Sequence, residues 1–99
     1  MRSFSKGRRS KKRILLSSDG ELNKLGYELL RSGDKQAAIA IFKLNVEAFP
    51  ESWNVYDSLG EAYLADGNKA LVIENYRRSV ALNPENRSGT ETVKRLEAK

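Results

Sequence analysis

Four groupings in this 99-residue sequence combine residue types and spacing suited to chemistry. Ser32-Gly33-Asp34-Lys35 has the Ser-x-x-Lys spacing that supplies a serine nucleophile with a nearby lysine in some acyl-transfer enzymes. Asp57 and Glu61 are four residues apart, so on a helix their carboxylates share one face. Residues 7 to 13 read Gly-Arg-Arg-Ser-Lys-Lys-Arg, a run able to neutralise phosphates or to act as an import signal. Asn86-Arg87-Ser88 has the letters of a glycosylation acceptor.

Neither of the first two is completed by the rest of the chain. There is no cysteine and no histidine, which removes disulfides, zinc fingers, Cys/His nucleophile pairs and imidazole acid-base work. No Gly-x-Ser-x-Gly elbow is present and no triad can be assembled. The carboxylates are scattered about one per turn, with no further ligand beside Asp57 and Glu61. No catalytic residue, metal or cofactor is expected, and the chain reads as a non-enzyme. Nor does an export signal accompany the sequon, where Ser88 has a simpler use as a helix cap. The longest apolar run is Ile14-Leu15-Leu16, far short of a membrane span. The chain is expected to be soluble and cytoplasmic, with no membrane partner.

The net charge of +5 is unevenly placed. Residues 1 to 13 hold seven basic side chains and no acid, leaving 11 basic and 13 acidic groups in residues 14 to 99. A mildly acidic body therefore follows a basic tail. With Phe4 as its one large apolar side chain, the tail has little to bury against an ordering cost of about 1 to 2 kcal/mol per residue. Residues 1 to 13 are read as disordered: a solvated leader, or an anion-binding arm through Arg8, Arg9, Lys11, Lys12 and Arg13.

The elements that position everything else come from an internal repeat. Leu25-Gly26, Leu30, Gly33, Lys35, Ile39, Val46, Pro50 and Glu51 recur 34 residues later as Leu59-Gly60, Leu64, Gly67, Lys69, Ile73, Val80, Pro84 and Glu85. A fixed period of this length predicts stacked helix pairs. Ser18 with Glu21 forms a capping box, stapled by Ile14 to Leu16, for a first helix from about residue 19 or 20 to Arg31. Ser32-Gly33-Asp34 ends it, and a second helix runs from Lys35 to about Phe49 before Pro50. Ser52 opens a third to Ala65, Asp66-Gly67-Asn68 repeats the turn, and a fourth spans Lys69 to Leu82. Ser88 with Glu91 caps a short fifth helix to about Ala98.

Leu22, Leu25, Gly26 and Leu29 form one stripe on the first helix, expected to pack on Ala38, Ile41, Phe42 and Val46. Tyr56, Leu59, Gly60 and Tyr63 repeat that design against Val72, Tyr76 and Val80. A helical glycine costs roughly 1 kcal/mol relative to alanine, so Gly26 and Gly60 imply that another helix crosses there at close range. Trp53 is expected between the two units.

These residues resemble the tetratricopeptide repeat: Leu/Tyr, Leu-Gly and Leu/Tyr on the first helix, then Gly, Ala/Val, Phe/Tyr and Pro at the family's offsets. The resemblance implies an all-α, right-handed α-solenoid of two helix pairs with a C-terminal capping helix. The tetratricopeptide domain would cover residues 14–99, as repeat one at 19–52, repeat two at 53–86 and a cap at 87–99. Val72, Asn45 and Ser79 stand where the family prefers small residues. A narrower likeness, carried by residues 25–30, 41–46 and 56–63, is to the repeat pair that follows the catalytic domain in some bacterial serine hydrolases of the beta-lactamase or esterase kind. The chain would then be an accessory domain detached from, or adjacent to, its enzyme.

Family resemblance also implies a concave groove lined by the first helix of each pair, suited to an extended peptide or amphipathic helix. Asn23, Tyr27, Leu30 and Arg31 would line it from the first helix, and Asn54, Asp57, Ser58, Glu61 and Leu64 from the third. Tyr27, Arg31, Asp57 and Glu61 are the expected partner contacts; alternatively they are a solvated face in which Arg31 pairs with Glu61. The groove that clamps chaperone carboxylate tails needs lysine and asparagine where this chain has Asn23, Tyr27, Ser58, Ser88 and Thr92, so that use is not expected. The expected partner is another protein or peptide, a second copy, or an attached catalytic domain, with nucleic acid as the tail's alternative. Two repeats are below the usual minimum of three, so one end is expected to pack on something else.

Overall fold

A computed structural model describes residues 18–98. The expectations for the basic segment of residues 1–13 and for the Ile14 to Leu16 staple fall outside them. Five helices follow in order: α1 (Gly20–Arg31), α2 (Lys35–Ala48), α3 (Trp53–Asp66), α4 (Lys69–Leu82) and α5 (Arg87–Glu97). No strand occurs among the described residues. The architecture is an all-α helical repeat: α2 packs on both α1 and α3, and α4 on both α3 and α5.

Each pair closes through the same turn. Gly33 and Gly67 have φ of 93° and 81°, the left-handed region that side chains resist. The chain reversal lets Asp34 N–H donate to the Leu29 carbonyl at 3.0 Å and Asn68 N–H to that of Tyr63 at 3.0 Å, which satisfies helix-end carbonyls. Asp34 and Asn68 then cap the following helices, accepting from Ala37 and Leu71 N–H at 3.2 and 3.3 Å. A Cβ at either glycine would meet nothing within 4 Å. Gly33→Ala and Gly67→Ala should therefore each cost about 1 to 2 kcal/mol from backbone conformation alone. Thermal unfolding of the two variants should show similar losses.

The starts of the outer helices differ from the sequence expectation. Glu21 Oε1 accepts from Ser18 N–H at 3.3 Å, half of the capping box, while Ser18 Oγ takes the N–H of Gly20 at 3.2 Å. At α5 the cap is Asn86 and not Ser88: Asn86 Oδ1 accepts from Gly89 N–H at 3.1 Å. The helix starts two residues early because the Asn86 amide is anchored from its other side.

The core joins Ala38, Ile39 and Phe42 of α2, Leu59, Ala62 and Tyr63 of α3, and Val72 and Tyr76 of α4. The two helical glycines are where the rings go. A Cβ on Gly26 would lie 2.3 Å from Phe42, and one on Gly60 2.9 Å from Tyr76. What approaches closely is an aromatic side chain. Gly26→Ala should thus lose about 1 to 3 kcal/mol to overpacking despite its helix propensity, and more than Gly60→Ala, as urea midpoints would report.

Two packing expectations are corrected. Ile39 rather than Ile41 joins the buried core, because α2 lies between two helices and buries both flanks. Leu25, assigned to the packing stripe, is 40% exposed, whereas its repeat equivalent Leu59 is 5% exposed. α2 covers Leu59 from the preceding unit, and α1 has no such neighbour among the described residues. Trp53, at the start of α3, is 38% exposed.

Candidate functional site

The nine residues expected to line one face separate into two groups. Ser58 is a correction: it is 1% exposed, and its hydroxyl donates to Asn23 Oδ1 across α1 and α3. Asn23 and Ser58 therefore form a joint between units. Asp57 is half-buried, and its Oδ1 accepts from Asn86 Nδ2 at 3.0 Å and from Ser79 Oγ at 3.3 Å. Asn86 Nδ2 also reaches Ser79 Oγ at 2.8 Å. A carboxylate expected to meet a partner thus fastens α3, α4 and α5 together.

A matching joint holds the first unit. Ser52 Oγ donates to the Asp19 carboxylate, and Asn45 Nδ2 to the Asp19 carbonyl at 2.8 Å. Asn45 and Ser79 are both fully buried, so two of the three positions that depart from family preference are polar joints. By the 34-residue period Asn45 matches Ser79, and Ser52 matches Asn86. The amide and the hydroxyl have exchanged places, and the carboxylate has moved one turn along the first helix. Buried polar groups of this kind hold relative helix positions because each loses most when a partner is removed.

The remaining residues stay accessible on the face carried by α1, α3 and α5. The Tyr27 hydroxyl donates to Glu61 Oε1 across successive units, and its ring packs edge-on against Phe42 with centroids 5.1 Å apart. Glu61 thus takes its hydrogen bond from Tyr27, not from the alternative partner Arg31. Arg31, Glu61 and Leu64 are exposed, and Leu30 and Asn54 are half-buried.

Burial, reinforced by the acceptor Glu61, pushes the Tyr27 phenol above its ordinary range. The Tyr76 phenol is raised too, first by burial and then by the charges of Asp57 and Glu61, with Arg95 acting in the opposite sense. Tyr76, Asp57, Glu61, Tyr27 and Arg95 therefore share one electrostatic neighbourhood. Tyr76 and Arg95 were not among the expected site residues, although for Arg95 the signal was available: adding the period to 27 gives 61, and adding it again gives 95. α5 extends the face instead of merely closing it, with Arg95 where α1 has Tyr27 and α3 has Glu61.

An alkaline limit on stability follows. Unfolded tyrosine ionises near pH 10, while folding holds both phenols neutral to higher pH. Above about pH 10 the folded state binds more protons than the unfolded one, so stability falls as pH rises. Urea midpoints should be flat on this account from pH 8 to about 10 and decline beyond it. Tyr27→Phe should reduce the slope.

Residues with catalytic spacing have structural roles. Ser32 Oγ donates to the Leu29 carbonyl at 2.8 Å, and Lys35 Nζ to the Ala65 carbonyl at 3.4 Å, each on a helix-end carbonyl. Among the described residues, no three or more Asp and Glu side chains gather as a metal would require. No helix among them is long and apolar enough to cross a membrane.

Comparison with known proteins agrees with this arrangement. A family model described as tetratricopeptide repeat matches residues 54–86, which is α3, α4 and the turn after them. Over 60 residues the chain is 33% identical to Superkiller complex protein 3 of Homo sapiens and 32% identical to the protein of that name in Mus musculus. The aligned stretch covers 61% of this chain and 4% of each relative, so the chain spans a small fraction of the relatives' length.

Proposed function

We infer that this array of tetratricopeptide repeats is a non-catalytic scaffold that binds a protein partner, as an extended peptide or a helix, on the concave face of α1, α3 and α5. One observation carries the reading: the Tyr27 to Glu61 hydrogen bond joins equivalent positions of successive units, so side chains of separate helices form a single surface. That surface combines an aromatic ring, Leu30 and Leu64 with Arg31 and Arg95 at its ends and Glu61 at its centre. Such a pattern suits a peptide with alternating apolar and charged side chains, a basic one opposite Glu61.

The relatives are named as proteins of a complex, which supports an assembly role. Cytoplasmic residence and attachment to a hydrolase domain are extensions of the same reading that rest on no site residue. In a peptide-display selection against the full chain, enriched peptides should lose at least about 10-fold in affinity on Tyr27→Ala with Arg31→Ala, equivalent to about 1.4 kcal/mol. Unchanged affinity would refute the groove. Loss on deleting residues 1–13 instead would transfer recognition to the basic arm.

A further inference from the structure

The two ends of the array carry complementary surfaces. On α1, Glu21, Leu25 and Glu28 follow one stripe, all three exposed; Glu21 also serves the Ser18 cap. The equivalents on α3 are Val55, Leu59 and Ala62, which are 0 to 5% exposed. The outer face of α1 is therefore an inter-unit packing face in its geometry, with two of its three apolar positions replaced by acids. Leu25 remains as an apolar knob between carboxylates.

At the other end α4 and α5 enclose a recess of about 450 Å³, lined by Arg77, Val80, Ala81, Thr90, Val93 and Lys94. Its floor is apolar and its rim basic. By the repeat period, Thr90, Val93 and Lys94 correspond to Tyr56, Leu59 and Gly60, the surface of α3 on which the Tyr76 ring lies. α5 has no following helix among the described residues to provide that cover. Lys94, moreover, stands where α3 has Gly60 beneath the Tyr76 ring, so a further repeat of the same design does not fit. A smaller apolar group between acids does.

We propose that the α4/α5 recess receives Leu25 of a second copy, with Glu28 of that copy facing the Lys94 side of the rim. The recess, at about 450 Å³, exceeds one leucine side chain. Arg77 is already held by Glu97 of α5, which fixes one wall and leaves Lys94 as the adjustable cation. Knob and recess lie on opposite ends of the molecule, so the contact is heterologous and builds rings or open chains instead of a closed two-fold dimer. A patch of one leucine and one recess is smaller than a stable standard interface, so the association is weak and transient. It is independent of the groove reading, since it uses neither Tyr27 nor Arg31.

Sedimentation of the full chain over a concentration series up to about 1 mM tests it, in the range expected for weak contacts. The average mass should rise with concentration. Glu28→Lys and Lys94→Glu, both at exposed positions, should each weaken association at least about 10-fold through like-charge contact. An equimolar mixture of the two should associate again, because the lysine at 28 of one then meets the glutamate at 94 of the other. Circular dichroism confirms that both variants are folded. A wild-type mass that stays monomeric throughout, or association that both single variants leave intact, overturns the proposal. So does a mixture that fails to associate after both single variants have lost the ability.

Discussion

Phe42→Ala should unfold most of the population at room temperature or leave it within reach of mild denaturant. The ring is fully buried, lies directly over Gly26 and supports Tyr27 from its edge. Removing a buried phenylalanine costs about 3 to 5 kcal/mol, transfer and cavity combined. The cavity has little means of collapse, since the opposing residue is a glycine with no side chain to move inward. A fold of about 80 ordered residues has roughly 4 to 12 kcal/mol in total, so the loss is comparable with the whole at the lower end. The check is urea unfolding followed at 222 nm. A midpoint loss equivalent to under about 1 kcal/mol would mean that α1 and α2 do not pack through this ring.

Asn86→Ala should detach α5 while leaving the first helix pair in place. The side chain donates to Asp57 and Ser79 and accepts from Gly89 N–H, so one amide both caps α5 and ties it to α3 and α4. Its removal leaves Ser79 and Gly89 N–H short of partners in a buried setting, at about 1 to 3 kcal/mol for each unsatisfied group. Asn86→Asp should be worse near neutral pH, because it sets a second carboxylate beside Asp57 and has no N–H to donate. Hydrogen exchange distinguishes local from global loss: amides of α5 should exchange faster in Asn86→Ala, and those of α1 and α2 at their original rate. Uniform acceleration along the chain would show that α5 is integral to the core and not an attached element.

The helices were legible because their signals are local. Glycine turns, Asp and Asn caps and prolines after the second helix of each pair fix the boundaries of α2 and α4 with no knowledge of packing. Position within the array was not. The period makes Leu25 and Leu59 equivalent, yet one is exposed and the other buried, since equivalence in sequence says nothing about which unit lacks a neighbour. Ser58 and Asp57 read as groove residues for a second reason. Polar residues in buried joints have the same letters as polar residues on a face, and only the partner reveals which is meant. Arg95 is hidden by reading the last helix only as a cap, whereas the repeat carries its register one helix further than the two complete pairs.

The most direct test of the interaction face is isothermal titration of a display-selected peptide into the full chain, the Tyr27→Ala/Arg31→Ala variant and Leu44→Glu. Leu44 is 48% exposed on α2, away from the proposed face, and reports on non-specific apolar capture. Binding that falls at least about 10-fold in the double variant, with Leu44→Glu unchanged, is the predicted result. A peptide that binds the double variant as tightly as wild type, or that is lost with Leu44→Glu alone, contradicts the assignment of this face as the binding surface.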